Sequence, residues 1–416
     1  MAKQRARAGF WLTLLLGALV LLNYVDRGAI GIAAPKLKDE LGLNAEQFGL
    51  AVSAFAWIYA PAQFAVGWLS DRFCVYRMIA IGLVIWSLAT FLTGFAESLA
   101  MLVMLRLALG IGEGVAFPAA SKIIARHVSG ERRGIANGVP AAALAFGPAL
   151  GTFAGGLILR YSGWRPIFLL FGAVTILWLV PWLLASRREW SAHDVESEDK
   201  IGLSDVMRQP LVWSMGIGHF MNTYGFYFLL AWLPLFLVTV RHFSILEMTA
   251  ITSVGYLIQG CGALGWGWIS DRLVGRGSDE GQLRKGLMSF YFAVSAVGIL
   301  GIGYSTSVEA VFAWFVIISV VGGIGGANCY AISQIYAGPR AAGRWVGVMN
   351  GLGNTSGIIG PILTGVLIQR TGSYMAAFVV SATIVGLGAI WWWFALPRVR
   401  PLTFARARMK PQPAAV

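Results

Sequence analysis

The sequence predicts an all-α membrane protein of twelve transmembrane helices arranged as two six-helix halves. Three observations carry that expectation. Hydrophobic residues make up 57% of the chain and charged ones only 12%, whereas an ordinary soluble domain carries roughly a quarter charged. Apolar runs long enough to cross a bilayer, about 20 residues each, recur at approximately 10–34, 46–70, 77–95, 99–125, 134–159, 164–185, 210–240, 247–270, 284–304, 308–336, 341–369 and 373–396. The hexapeptide GWLSDR at residues 67–72 returns as GWISDR at 267–272, each time after the second span of a six-span set. An internal duplication is the simplest cause. The expected organisation is therefore a first half over 1–185, a cytoplasmic linker over 186–209, a second half over 210–396 and a cytoplasmic tail over 397–416.

Charge sets the orientation. The net charge of +13 invites a nucleic-acid reading, but the basic residues are scattered over span ends instead of clustering on a soluble face. Lys3, Arg5, Arg7, Arg72, Arg77, Arg126, Arg187, Arg272, Arg276, Arg340 and Arg344 all fall on one side. The other side holds only Lys36, Lys38, Arg160, Arg165, Arg241 and Arg370. The positive-inside rule then makes both termini cytoplasmic. Cys74, Cys261 and Cys329 have no metal-type spacing, so neither a disulfide framework, a metal site nor a cofactor is expected. The first apolar run is too long for a cleaved signal and reads as a span. The expected state is a monomer in the lipid bilayer.

In the first span, NYVDR places Asp26 and Arg27 about two-thirds of the way through. Consecutive helical positions point about 100° apart, so the two need not pair. Arg27 reads as a cavity cation or as a side chain snorkelling to the outer surface. The second span offers Tyr59 and Gln63 beside Pro61 and ends in Asp71 and Arg72. The fourth span holds the most expensive residues of the chain, Arg106 and Glu113 in LRLALGIGEGVAFP. An ionised side chain at mid-membrane costs roughly 2.5 to 3.5 kcal/mol and usually faces a polar path. Seven residues bring the second group back to within about 20° of the first, about two turns along, so they share a face. The alternative is a structural charge pair tying helices together. The glycines between them lack a preceding strand and read as helix packing, not as a dinucleotide loop.

The fifth span, GVPAAALAFGPALGTFAGG, has almost no polar side chains and reads as a bendable, close-packed helix. The seventh carries His219, Asn222, Tyr224 and Tyr227. The first two share one face and the last two another, so all four meet one cavity only if the helix loosens near Gly225. His219 stands equally as a cavity group or a hydrogen-bonded core residue. The eighth span ends in Asp271 and Arg272; paired with Asp71 and Arg72, these suit charge clasps that hold one conformation. The tenth span brings Asn328, Tyr330, Ser333 and Gln334, and the eleventh Asn350 and Asn354, about a turn apart. Such groups suit a polyhydroxylated or carboxylated solute or serve as interhelical contacts.

The twelve spans, the duplicated loops and the central linker resemble the major facilitator superfamily. Within it, NYVDR at 23–27, RLALGIGEGVAFP from Arg106, NTYGFYFLLAWLP from Asn222 and GVMNGLGNTSGIIGP from Gly347 resemble the anion:cation symporter family, whose bacterial members include galactonate, glucarate and hexuronate carriers. The resemblance implies that Arg27 and Arg106 meet a substrate carboxylate, with Tyr24, Tyr59, His219, Tyr330 and Asn354 as further cavity contacts. It also implies proton roles for Asp26 and Glu113. One departure stands out: Ala141, Ala142 and Ala143 fill the fifth span where relatives often carry a polar residue.

The expected function is secondary active transport in the bacterial inner membrane, a proton-coupled symport of an organic anion such as a sugar acid by alternating access. An anion drawing Arg106 away from Glu113 would let that carboxyl hold a proton more readily, so anion and proton would favour each other's binding. A proton-independent facilitator or exporter of a neutral or aromatic compound is the alternative. An enzyme is not expected, since no nucleophile motif or metal-ligand cluster appears.

Overall fold

The computed structural model describes residues 2–127, 133–187, 201–402 and 404. Among them every regular element is a helix: α1 (Ala2–Glu40), α2 (Ala45–Arg72), α3 (Val75–Thr93), α4 (Leu99–Glu113), α5 (Ala116–His127), α6 (Arg133–Ser162), α7 (Arg165–Leu177), α8 (Leu179–Ser186), α9 (Leu203–Met207), α10 (Pro210–Thr239), α11 (Ile245–Gly275), α12 (Glu280–Tyr304), α13 (Val308–Asn354), α14 (Ser356–Thr371) and α15 (Tyr374–Phe394). The fourth span is α4 with α5, and the sixth is α7 with α8. The tenth and eleventh spans meet inside α13 at Gly338, whose φ of 64° breaks the helical run in a region that favours glycine. Among the described residues, nine helices are long and apolar enough to cross a membrane by length and composition. The segment 99–127 is divided between α4 and α5, each shorter than a single crossing helix. The protein is an integral membrane protein with the predicted two six-helix halves.

The duplication is visible in the caps as well as in the loops. Asn44 opens α2 with a capping box to Gln47, and Ser244 opens α11 with the same box to Glu247. Each box satisfies two otherwise orphaned backbone donors. Most of the linker, 188–200, and the tail beyond Phe404 lie outside the described residues.

The halves meet tightly at one end. There, short connections at 41–44, 94–98, 163–164, 240–244, 305–307 and 372–373 join the helices, and small residues let backbones of opposite halves touch. A Cβ on Gly31 of α1 would strike the Leu230 carbonyl oxygen of α10, and one on Gly49 of α2 would strike that of Pro361 in α14. Gly156 of α6 faces the side chain of Thr249 on α11, and Phe48 stands edge-on to Trp232 at 5.2 Å. Arg165 braces this end of the first half, pairing with Glu40 at 2.9 Å and donating to the Gly94 and Ala96 carbonyls. At the opposite end Gly265, Gly267, Gly343 and Gly347 meet nothing within 4 Å among the described residues. Among the described residues, the Gly31 and Gly49 contacts are close backbone approaches between the two halves at the sealed end.

Backbone-to-backbone contact leaves no room for a side chain, so Gly49→Val should prevent closure of the sealed end. Spin labels at Gln47 and Gln369 should then sit farther apart in the variant than in the parent; an unchanged distance distribution would mean that the glycine contact does not hold the seal.

Candidate functional site

The buried charges converge midway along the seam. Arg27 of α1 and Glu113 at the end of α4 form an ion pair, Nη2 to Oε2 at 2.7 Å, with side chains 2% and 0% exposed. Arg27 Nε adds a second contact to the same oxygen at 3.1 Å, and Nη2 also donates to Asn23 Oδ1 at 3.1 Å. Asn23 lies one helical turn before Arg27, which places both on one face. Three rings wall the guanidinium: Tyr24, Phe55 and Tyr59, with centroids at 4.6, 4.7 and 4.5 Å. Such packing excludes water from the pair, which strengthens its electrostatics and makes losing either member costly.

Arg106 is placed differently. It is 5% exposed, its Nη2 reaches only the Val52 carbonyl at 3.5 Å, its Nε has no hydrogen-bond partner and the Phe55 ring lies at 5.2 Å. No carboxylate pairs with it among the described residues. The sequence pointed to Arg106 as the cation drawn away from Glu113, and the structure gives that carboxylate to Arg27 instead. The physical reason is reach. Two turns along one helix separate Arg106 from Glu113 by about 10 Å, whereas α1 brings Arg27 alongside. Both arginines line a cavity of about 20 Å³ with Val52, Phe55, Ala56, Leu230, Ala231 and Tyr227. That is room for about one water molecule, so a solute enters only if the surrounding helices part.

From Arg27 a polar chain crosses to the second half. Tyr227 of α10 lies 3.5 Å from Arg27 Nη1, at the outer limit of a hydrogen bond, and donates to Asn354 Oδ1 at 2.8 Å. Asn354 Nδ2 donates to the Asn350 carbonyl at 2.9 Å, and Tyr330 donates to Asn350 Oδ1 at 3.2 Å. His219 stands edge-on to Tyr330 at 6.2 Å and touches Cys329 Sγ through Nδ1 at 3.8 Å. It is packed inside the second half. Glu113 and Asn354 each end a helix where the backbone ladder slackens, at 114–115 and at Thr355. Irregular backbone at membrane depth is tolerated where it lines a cavity or is buried in protein.

The remaining candidates sit apart. Asp26 points away from Arg27 into the first half, where Trp86 Nε1 and Thr175 Oγ1 donate to its Oδ2 at 2.8 and 2.9 Å. Asn222 accepts from Tyr291 at 2.8 Å. Tyr224 packs against Gly360, because α10 runs unbroken past Gly225 and never loosens to turn all four of its polar groups one way. The side chains of Asp71, Arg72 and Asp271 lie outside the described residues, as does that of Ala141. Arg272 is exposed, with its guanidinium 5.1 Å from the Trp268 ring centroid. Reasoning from the sequence left Asn23 and Phe55 unassigned; both were detectable, one turn from Arg27 and Tyr59. No cluster of three or more metal-type side chains occurs among the described residues.

The model of the Major Facilitator Superfamily matches residues 16–278, well over half of the chain. The chain belongs to the Major Facilitator Superfamily. It is a transporter, not an enzyme. A probable sulfoacetate transporter of Cupriavidus necator is 29% identical over 93% of this chain and 94% of its own length. A hexuronate transporter of Bacillus subtilis is also 29% identical, over 86% and 88%. A chloroplastic sodium-dependent phosphate transport protein of Arabidopsis thaliana is 27% identical over 92% and 78%. Among solved structures, a bacterial homologue of the human lysosomal transporter Spinster, in an inward-facing and unoccupied conformation, aligns with a TM-score of 0.77 at 19% identity, covering 93% of this chain and 97% of that one. At that identity the likeness concerns the fold.

Arg27→Met should leave Glu113 buried without a cation, a loss of roughly 3 to 5 kcal/mol. Thermal unfolding in detergent should show a marked drop for this variant and recovery when Glu113→Leu is added. Equal unfolding temperatures for the single variant and the parent would contradict the pairing.

Proposed function

We propose that this chain carries a small organic anion across the bacterial inner membrane together with a proton, by alternating access between its two halves. The observation that carries the reading is one guanidinium without a carboxylate, Arg106, lining the cavity beside the closed Arg27–Glu113 pair. The pair is neutral as a unit, so the cavity keeps one net positive charge. A buried charge of this kind favours an anion that arrives to neutralise it. The named relatives carry sulfoacetate, hexuronate and phosphate, all anions, which supports the same class.

Proton coupling follows from sharing. Arg106 receives the anion first, and Arg27 turns toward it as well once Glu113 is protonated. A carboxylate deprived of its guanidinium inside protein is far better accommodated neutral, so anion and proton each promote the other's binding. Asp26, held by Trp86 and Thr175, is the second carboxyl assigned to the proton path. Tyr24, Tyr59, Tyr330, Asn350 and Asn354 complete the cavity around the anion. By the positive-inside rule the end opposite the seal faces the cytoplasm, and both termini lie there. Asp71 and Arg72, with Asp271 and Arg272, are assigned to clasps that close this end in the alternate state. The transporter acts as a monomer.

In proteoliposomes, an outward-to-inward proton gradient should drive anion accumulation. Glu113→Gln should abolish that accumulation while sparing anion exchange. Accumulation that survives Glu113→Gln, or that follows a sodium gradient in place of the proton gradient, would contradict the coupling. Arg106→Ala should weaken anion binding by about 2 to 5 kcal/mol, roughly 30-fold or more; a normal binding constant in that variant would remove Arg106 from the site.

A further inference from the structure

The Arg27–Glu113 pair leaves two complementary atoms beside it idle. Asn23, 0% exposed, gives its Oδ1 to Arg27 Nη2 at 3.1 Å, and the same nitrogen holds Glu113 Oε2 at 2.7 Å. The Asn23 side chain lies within reach of the Glu113 carboxyl as well. Yet Asn23 Nδ2 and Glu113 Oε1 are both buried with no hydrogen bond closed among the described residues. Buried donors and acceptors left open cost free energy, and native structures hold few of them. Next to an ion pair that must come apart, such atoms are partners held ready for the state in which it has done so.

A side-chain amide carries both a donor and an acceptor, which is what a titrating carboxyl needs from one neighbour. While Glu113 is ionised it only accepts, and Arg27 supplies the donors. Once protonated it has an O–H to give away, and a guanidinium, which is all donors, cannot take it. Asn23 Oδ1 can, because Arg27 releases that oxygen when its fork turns to the anion. The proton comes from water, Arg27 keeps its charge and Asn23 only exchanges partners. The other charged and titratable groups around Glu113 are Asp26 and Tyr24 of α1, Tyr59 of α2, Arg106 of its own helix and Tyr227 of α10. Of these, Asp26 points away to Trp86 of α3 and Thr175 of α7, and Tyr227 donates to Asn354. Among the described residues, Asn23 alone shares a guanidinium nitrogen with Glu113.

We infer that Asn23 is a positioning residue for the coupled proton: its amide oxygen accepts the O–H of protonated Glu113 and so sets the pH at which that carboxyl titrates. This rests on the proton-coupling reading above and adds the residue that steadies the proton. The test follows the carboxyl C=O stretch of Glu113 by infrared difference spectroscopy across pH. It uses the full-length purified chain in detergent, without anion and with glucuronate or sulfoacetate as probes, and the band is assigned by its loss in Glu113→Gln. Asn23→Leu removes the acceptor of the protonated form, so the band's midpoint should fall by about one pH unit, tenfold in proton affinity. The band should also move to higher frequency, since its O–H is left unbonded. Asn23→Asp keeps the shape and adds a stronger acceptor, so its midpoint should rise instead; it carries the test alone if Asn23→Leu does not fold. A parent-like midpoint in these variants, even with weakened anion binding or stability, would make Asn23 a mere brace for Arg27 and overturn the inference while the coupling reading stands. If no band that Glu113→Gln removes appears under any of these conditions, Glu113 takes no proton, and the coupling reading fails together with this inference.

Discussion

Arg27 cannot serve Glu113 and an incoming anion with the same N–H groups. Its Nε and Nη2 are both committed to one carboxylate oxygen, and Nη2 also reaches Asn23. A guanidinium has five donors in a fixed fork, so turning that fork toward a second anion means giving up the first. On the proposed mechanism this exclusivity is the source of coupling, since the displaced carboxyl is accommodated by a proton. On the same proposal Arg106 supplies what Arg27 withholds, a cation not paired with a carboxylate among the described residues.

The same two helices that carry the pair also carry the seal. Gly31 lies one turn beyond Arg27 on α1, and Leu230, whose carbonyl it faces, lies three residues beyond Tyr227 on α10. A change in what Arg27 holds therefore acts a few ångströms from the closest approach of the two halves. Packed backbones do not deform gradually. A contact built from glycine against a carbonyl is either made or lost, which suits a two-position device better than a graded one. The polar chain through Tyr227, Asn354 and Asn350 gives the second half its own attachment to the charged centre.

Much of this was legible in the sequence because membranes impose strong rules. Apolar length fixed the spans, and the repeated hexapeptide marked the two halves. The cost of burying charge singled out Arg27, Arg106 and Glu113. The pairing was not legible, because periodicity ranks neighbours within a helix and says nothing about which helix lies opposite. Glu113 shares a face with Arg106 but is reached by Arg27, 86 residues away. Tyr224 and Tyr227 looked equivalent for the same reason, yet one packs against Gly360 and the other meets the arginine. The asparagines were visible as polar groups in apolar helices, whereas their engagement with nearby phenols required coordinates.

Sharing of Arg27 between carboxylate and anion has a direct thermodynamic signature, the number of protons taken up when the anion binds. Titration calorimetry in buffers of different ionisation enthalpy measures that number without transport. The account predicts net proton uptake on anion binding by the parent chain and none by Glu113→Gln; anion binding by the parent with no proton uptake would contradict it.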